Sequence, residues 1–211
     1  MRTDAEAREQ IIQVANELFA MGHLTPTGGN ISARAADPDK IWITPSQMYK
    51  GALTADALCC INENGELLAG TNKPSVEYQM HWGTYHAREE ATAAVHTHAP
   101  AATAFGITNQ TWPPINTDAI FLADTKIVPW FMPGSKELAD AAAEAIKASR
   151  GAILQCHGLI AVGKTMRDAA TRAMMIEETA KLVLYCKQFG GALAVIPPEW
   201  VERLASVASF L

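Results

Sequence analysis

Two histidines separated by one residue constrain this chain most. His96 and His98 follow the apolar pair Ala94-Val95, and a short apolar run next to turn-forming residues is typical of a buried strand. Side chains two residues apart on a strand project from the same face, so these imidazoles can bind one ion together. His157 ends a second apolar run, and Gly158 after it lets the backbone turn sharply. Three imidazoles with an open coordination position form the ligand set of a catalytic zinc ion.

A single histidine is more often a satisfied, half-buried side chain than a metal ligand. The close pair changes that balance, because two buried imidazoles on one face each need a partner and a metal ion satisfies both. The remaining three histidines have no second histidine at this spacing. We interpret them as structural or surface residues: His23, His81 and His86.

Length and composition narrow the classes of function. A chain of 211 residues that is 49% hydrophobic is expected to bury one core, so we predict one domain over residues 1–211. The net charge of -5 argues against a nucleic-acid or anionic-membrane surface, and no apolar stretch reaches membrane-spanning length. The acidic N-terminal segment does not resemble a signal peptide. We therefore expect a cytoplasmic protein whose partner is a small molecule.

The four cysteines show no paired spacing typical of a zinc ribbon or a redox motif. We predict reduced, mostly buried thiols, with the adjacent Cys59 and Cys60 on opposite faces of a strand. Cys156 precedes His157, so it either lines the site or, as we favour, is a small apolar filler.

Hydrophobic periodicity and turn residues predict short strands interleaved with helices. The expected helices cover residues 5–21, 74–88, 99–105, 136–149, 165–189 and 198–210, with Ser75 as a candidate N-cap. The expected strands cover residues 31–34, 41–43, 58–61, 66–68, 94–98, 119–122 and 126–128, and two further strands flank a His-Gly turn within 151–163. This order has no regular βαβ rhythm, which favours an α/β fold with a largely antiparallel sheet between helices.

A metal site needs a nearby group that moves protons, and Glu77 is our candidate for the general acid/base. Its predicted place in the first turn of a helix is also what compensation of the helix dipole would select. Three loops carry groups suited to an anion, although each is also an ordinary connection. They are Thr27-Gly28-Gly29-Asn30, Thr44-Pro45-Ser46 and Lys73-Pro74-Ser75-Val76.

In this order the motifs resemble the class II aldolase and adducin family, typified by fuculose phosphate aldolase. The resemblance covers nearly the whole chain. The motifs that carry it are Gly29-Asn30-Ile31-Ser32, Ile43-Thr44-Pro45-Ser46, Lys73-Pro74-Ser75-Val76-Glu77, Val95-His96-Thr97-His98-Ala99 and Gln155-Cys156-His157-Gly158-Leu159.

The resemblance implies a three-layer α/β/α fold and a homotetramer with four-fold symmetry. It implies a divalent metal, with zinc favoured over manganese or cobalt, held by His96, His98 and His157. Glu77 matches the family's acid/base glutamate and is a candidate fourth ligand. The residues that match the family's anion site are Gly29, Asn30, Thr44, Ser46 and Ser75.

The activity implied is that of a carbon-carbon lyase, an aldolase or a decarboxylase, acting on a small hydroxy-carbonyl or sugar-derived compound through a metal-stabilised enediolate. Gln47 and Val76 depart from the family's phosphate loops, which tilts our expectation toward a carboxylate or no anion. The family's tyrosine acid is absent after Pro113-Pro114, where Asp118 is the local candidate acid. The alternatives are a sugar-phosphate epimerase, a dehydratase and a non-catalytic adducin-like module.

Overall fold

The computed structural model describes residues 3–34 and 36–208. Its α-helices are α1 (Asp4–Ala20), α2 (Tyr78–Ala87), α3 (Pro100–Ile107), α4 (Thr117–Phe121), α5 (Lys136–Ala148), α6 (Met166–Phe189) and α7 (Pro198–Ala208). Its strands are β1 (Asn30–Arg34), β2 (Ile41–Ile43), β3 (Cys59–Ile61), β4 (Leu67–Ala69), β5 (Ala93–Thr97), β6 (Lys126–Val128), β7 (Gly151–Leu154) and β8 (Gly158–Gly163). Within these residues, no helix has the length and apolar character needed to cross a bilayer.

All eight strands form one sheet in the order β4-β3-β2-β1-β5-β8-β7-β6. Every neighbouring pair is antiparallel except β6 and β7, which run parallel at one edge. Strand β5 lies near the middle, between β1 and β8, so its backbone is hydrogen-bonded on both sides. The predicted largely antiparallel sheet is confirmed.

Helices cover both faces of the sheet. One apolar cluster joins α1, α3 and α6 to the first face, and a second joins α2 and α5 to the other. Neighbouring side chains on a strand alternate between these clusters, as Cys60 in the first and Cys59 in the second show. The three-layer α/β/α architecture is therefore confirmed, and so is the prediction for the two cysteines.

The helix predicted from Pro74 begins later, at Tyr78, and Ser75 is not its N-cap. Pro74 instead forms a β-bridge with Pro45, and the Ser75 N–H donates to the Thr44 carbonyl oxygen at 3.3 Å. These contacts hold the segment in an extended conformation and tie it to a neighbouring loop. Glu77 therefore occupies the N-cap position itself rather than the first turn.

The strand predicted over 119–122 is wrong, because this segment belongs to α4 and its C-cap. Asn116 caps the helix by accepting a hydrogen bond from the Ala119 N–H at 2.8 Å, and Asp118 lies in the first turn. The apolar run that follows this cap suggested a strand because it is short. The last predicted helix is observed as α7, and residues 209 and 210 lie outside the described residues.

Candidate metal centre

Three histidine side chains from two segments meet at one end of the sheet. His96 lies near the end of β5, His98 directly follows that strand, and His157 lies in the turn between β7 and β8. The Nε2 atoms of His96 and His98 are 3.1 Å apart. Each pair of the three rings meets edge-on, with centroids 4.8 to 5.0 Å apart.

Glu77 brings a carboxylate to the same point from the start of α2. Its Oε2 lies 3.3 Å from Nε2 of His96, and its Oε1 lies 3.3 Å from Nε2 of His157. One ligand atom from each of Glu77, His96, His98 and His157 lies within 4.8 Å of the others. Residues far apart in sequence thus form one compact cluster of metal-binding groups.

Backbone interactions set the orientation of the histidines. His96 pairs with Ile160 across β5 and β8, and its Nδ1 donates to the Leu159 carbonyl oxygen at 2.8 Å. That hydrogen bond places the proton on Nδ1 and leaves Nε2 as a lone-pair donor toward the other rings.

The turn that carries His157 packs very closely against β5. A Cβ added to Gly158 would lie 2.1 Å from the Thr97 carbonyl oxygen and 3.2 Å from the His98 Cα. Glycine is needed here for this close approach. The left-handed conformation of the turn belongs to Cys156, at φ 57°. Cys156 is exposed, so its interpretation as an apolar filler is wrong.

The electrostatics of the cluster place an ionised carboxylate beside imidazoles whose pKa values shift in different directions. Burial lowers the pKa of His96, but Glu77 and the Leu159 carbonyl oxygen outweigh it and raise the pKa. Burial and the neighbouring His96 lower the pKa of His98 to about 3 and that of His157 to about 4. Burial alone would raise the pKa of Glu77, but His96, His157 and Asn30 outweigh it and hold the pKa well below its usual range. At neutral pH His98 and His157 therefore offer lone pairs and Glu77 a negative charge, which are the forms that bind a metal ion, and metal binding would release any proton held by His96.

The donor set fits a divalent cation. Two nitrogens bound to one tetrahedral zinc at normal bond lengths lie roughly 3.3 Å apart, close to the 3.1 Å between the His96 and His98 Nε2 atoms. Glu77 Oε1 is buried without a hydrogen-bond partner among the described residues. A buried carboxylate oxygen without a donor is costly, and a cation between it and the imidazoles would remove that cost.

The three predicted anion loops lie side by side next to this cluster. Ser46 N–H donates to the Lys73 carbonyl oxygen at 2.9 Å, and Thr44 N–H donates to the Ile31 carbonyl oxygen at 3.0 Å. Gly29 lies against the His96 carbonyl oxygen, which a Cβ at this position would approach to 3.0 Å. All five predicted anion-site residues, Gly29, Asn30, Thr44, Ser46 and Ser75, are therefore within one connected group of loops.

Three of these five side chains already have partners inside the protein. Thr44 Oγ1 accepts from the Ile31 N–H at 3.2 Å, and Ser75 Oγ accepts from the Glu77 N–H at 3.3 Å. The Asn30 amide donates to Glu77 Oε2 at 2.7 Å. Among the three hydroxyl residues, Thr44 and Ser75 are buried, whereas Ser46 is half-buried and has the most accessible hydroxyl.

Sequence reasoning missed His81, which we interpreted as structural or surface. It is fully buried, and its Nε2 lies 2.5 Å from Oδ1 of Asn30. His81 therefore contacts the opposite end of the amide that donates to Glu77. Glu77 and His81 are four residues apart, the spacing that places side chains on one helix face, and this was the available signal. His23 is buried and His86 is exposed, both outside the cluster.

A second missed residue is Lys50, a buried lysine beneath the loop that carries Ser46. Its ammonium group donates to the carbonyl oxygens of Pro45 and Met48, both at 3.2 Å. Burial lowers its pKa. The positive charge contributes in turn to lowering the pKa of His98, after burial and the neighbouring histidines.

The model of the class II aldolase and adducin N-terminal domain matches residues 9–184 of this chain. The chain belongs to the class II aldolase and adducin family. It is 32% identical over 199 residues to a 5-deoxy-D-ribulose 1-phosphate aldolase of Bacillus thuringiensis serovar kurstaki, which covers 94% of this chain and 93% of that protein. It is 28% identical over 186 residues to a 3-oxo-tetronate 4-phosphate decarboxylase of Haemophilus influenzae, with 85% and 88% covered.

The solved structures give the same family. An L-fuculose 1-phosphate aldolase superposes with a TM-score of 0.86 at 26% identity, covering 97% of both chains. Together with the family match, these relatives make the chain a metal-dependent lyase of the class II aldolase family. The cluster of Glu77 and three histidines is where a divalent cation can bind.

Proposed function

We propose that this protein cleaves a carbon-carbon bond in a small sugar-derived hydroxy-carbonyl compound, as an aldolase or a decarboxylase, with the cluster of Glu77 and three histidines as its active site. The observation that carries the proposal is the convergence of these four side chains within 4.8 Å. When bound, a divalent cation would polarise the substrate carbonyl and stabilise the negative charge that develops as the bond breaks.

The roles of the protein groups follow from their surroundings. His96, His98 and His157 would hold the ion through Nε2, with His96 oriented by its hydrogen bond to the Leu159 carbonyl oxygen. Glu77 would move the proton through Oε1, because Oε2 is held by the Asn30 amide and Oε1 has no hydrogen-bond partner within residues 3–34 and 36–208. Glu77 is also a candidate fourth ligand before substrate binds.

We propose a phosphorylated substrate. The named relatives are enzymes of phosphorylated compounds, and the Lys50 ammonium, which donates to the carbonyl oxygens of Pro45 and Met48, adds positive charge beneath the Ser46 loop. Gln47 adopts φ 54°, so the backbone keeps a conformation that favours glycine although a side chain is present. This proposal differs from our expectation from the sequence, which favoured a substrate with a carboxylate or with no anionic group. A screen in which only non-phosphorylated compounds are turned over would contradict the proposal and support that expectation.

Zinc is the metal we propose, because three imidazoles with an open position suit it best. We also propose a homotetramer. Val76, Trp130 and Met132 are apolar and at least half exposed, and Val76 directly precedes Glu77, so at least one exposed apolar side chain lies beside the site, as a subunit contact would require. Metal analysis and light scattering test both points, and a monomeric mass would contradict the tetramer. A cytoplasmic location stays a prediction from the sequence.

One set of substitutions tests the assigned roles. Replacing His96, His98 or His157 by alanine should lower metal content and turnover together, because each removes one of three protein bonds to the ion. Glu77→Gln should retain most metal and lose turnover on the order of a hundredfold, because an amide cannot accept the proton. His86→Ala is the matched control, since His86 is 54% exposed and outside the cluster. Near-normal turnover of Glu77→Gln at full metal occupancy would place the base elsewhere.

Product analysis by NMR separates the reaction types. An aldolase releases two carbonyl fragments and a decarboxylase releases carbon dioxide, whereas an epimerase releases no fragment and a dehydratase yields a deoxy-diketone. The presence of all four residues in the cluster argues against a non-catalytic module.

A further inference from the structure

A chain of buried hydrogen bonds runs from α2 through β1 to Glu77. The Tyr85 hydroxyl is 2.8 Å from Ser32 Oγ, and Ser32 Oγ is 2.6 Å from His81 Nδ1. His81 Nε2 is 2.5 Å from Asn30 Oδ1, and Asn30 Nδ2 is 2.7 Å from Glu77 Oε2. All five residues are buried. No part of the proposed reaction requires His81, Ser32 or Tyr85.

We infer that His81 is a positioning residue that fixes the orientation of the Asn30 amide and thereby selects which oxygen of Glu77 is free to carry a proton. The inference rests on the proposed role of Glu77 as the proton-transferring group. Its geometric part, the direction of the hydrogen bonds, stands independently of that role.

The direction of every bond follows from the two ends of the chain. The Glu77 carboxylate only accepts, so Asn30 must turn its NH₂ group toward Glu77 and its oxygen toward His81. His81 must then donate through Nε2. Burial, with His96 nearby, lowers the pKa of His81 to about 3, so the ring is neutral and its Nδ1 can only accept.

The remaining two residues complete the assignment. Because His81 Nδ1 accepts, Ser32 must donate its hydroxyl proton to it, and the Ser32 oxygen is left to accept from the Tyr85 hydroxyl. The chain has one consistent direction, from Tyr85 to Glu77. A neutral imidazole with the proton on Nδ1 instead would face the Asn30 oxygen with a lone pair, which favours reversal of the amide.

A reversed Asn30 amide would change the site directly. Its oxygen would face Glu77 Oε2, and two acceptors at this separation repel each other. Glu77 would then have to rotate away or take up the proton on Oε2. In the observed arrangement both oxygens face the cluster, Oε2 at 3.3 Å from Nε2 of His96 and Oε1 at 3.3 Å from Nε2 of His157, but only Oε2 accepts from Asn30. The amide orientation thus decides which of the two oxygens is already occupied by a hydrogen bond.

The position of Asn30 explains why a hydrogen bond from His81 is needed to orient its amide. Asn30 pairs with His96 across β1 and β5, so its backbone is fixed beside a candidate metal ligand. The backbone does not fix which end of the amide faces Glu77, because oxygen and NH₂ have nearly the same shape. The hydrogen-bonding partners at its two ends, Glu77 and His81, distinguish them, and of the two only His81 is outside the reacting cluster.

Two matched substitutions separate this role from simple filling of the core. In glutamine, the amide nitrogen is as many bonds from Cα as Nε2 is in histidine, so His81→Gln keeps a donor for Asn30. In asparagine, the amide group corresponds to Nδ1, so His81→Asn keeps the contact with Ser32 and loses the one with Asn30. With the metal-loaded enzyme, we expect kcat within about fivefold of wild type for His81→Gln and ten- to a hundredfold lower for His81→Asn, with KM little changed.

A spectroscopic measurement tests the chain without turnover. Long-range proton-nitrogen NMR of the intact wild-type protein should show His81 as the neutral tautomer protonated on Nε2. Ser32→Ala removes the donor to Nδ1 but leaves the Asn30 oxygen to accept from Nε2, so the ring should keep this tautomer. It serves as the second variant if His81→Asn does not fold, and an Nδ1-protonated ring in Ser32→Ala would overturn the inference.

The outcomes are distinct. An Nδ1-protonated ring in the wild type, equal loss of kcat in both His81 variants, or no loss in either would overturn the inference. If Glu77→Gln retains turnover while the tautomer is as expected, the role of Glu77 fails and the direction of the chain survives. Chelator competition should give the same metal affinity for both His81 variants within about threefold. A selective loss in His81→Asn would instead assign His81 to metal binding, against the inference.

Discussion

Replacing Gly158 by alanine should damage the metal centre through the backbone. The added Cβ would lie 2.1 Å from the Thr97 carbonyl oxygen, whereas carbon-oxygen contacts of this kind settle at about 3.3 Å or more. The two segments must therefore separate by about 1 Å. Thr97 precedes His98 and Gly158 follows His157, so the shift moves two candidate ligands. Metal sites tolerate changes of about 0.2 Å in ligand distance.

The expected result is a metal affinity lower by on the order of a hundredfold, with a loss of about 1–3 kcal/mol in the free energy of unfolding from overpacking. Chelator competition measures the first quantity and denaturant unfolding the second. Gly190→Ala is the control, because Gly190 has φ 73° and ψ −174° and no atom of the described residues lies within 4 Å of an added Cβ. It should cost about 1–3 kcal/mol through backbone strain and leave metal affinity unchanged. Unchanged metal affinity in Gly158→Ala would refute the reasoning.

Three further predictions concern other parts of the chain. A thiol reagent should label the exposed Cys156 of the native protein and leave the buried Cys59, whose pKa burial raises to about 11, unlabelled until unfolding; equal labelling would contradict this. Because the pKa of His81 falls to about 3 on folding, the metal-free protein should lose stability as pH drops below about 6.5, and at pH 5 His81 should account for about 2 kcal/mol. If the free energies of unfolding of wild type and His81→Gln change by the same amount from pH 7 to pH 5, this contribution of His81 is excluded. Gln47→Gly should lower KM for a phosphorylated ketose, since a φ of 54° favours glycine and the substitution removes a side chain directly after Ser46; a raised KM would show that Gln47 contacts substrate.

The layers and the histidine cluster could be predicted because local patterns specify them. The i, i+2 spacing of His96 and His98 predicted a shared strand face, and their Nε2 atoms do meet, although β5 ends at Thr97 and His98 directly follows it. The turn signals predicted a His-Gly turn at His157, and the resemblance to the family implied that His157 joins the other two histidines. The wrong strand over 119–122 shows the limit of such patterns. A short apolar run fits a helix and a strand equally, and the cap at Asn116 decided between them.

The position of Glu77 and the role of His81 required tertiary information. The sequence placed Glu77 in a helical turn, but the bridge between Pro45 and Pro74 delays the helix and moves Glu77 to the N-cap. His81 is a partner of Asn30 only because α2 packs against the face of the sheet that carries β1. No local rule links residues that are 51 positions apart.

The two parts of the site are held by different kinds of interaction, and this has a functional consequence. The sheet positions the histidines, since β5 is paired on both sides and its His96 is anchored to the Leu159 carbonyl oxygen of β8. Glu77 lies at a helix start, and its Oε2 is held through the Asn30 side chain. Substitutions in the sheet should therefore change metal affinity first. Substitutions in the hydrogen-bond chain should change proton transfer while the metal stays bound, because they leave the backbone pairing of the histidines intact.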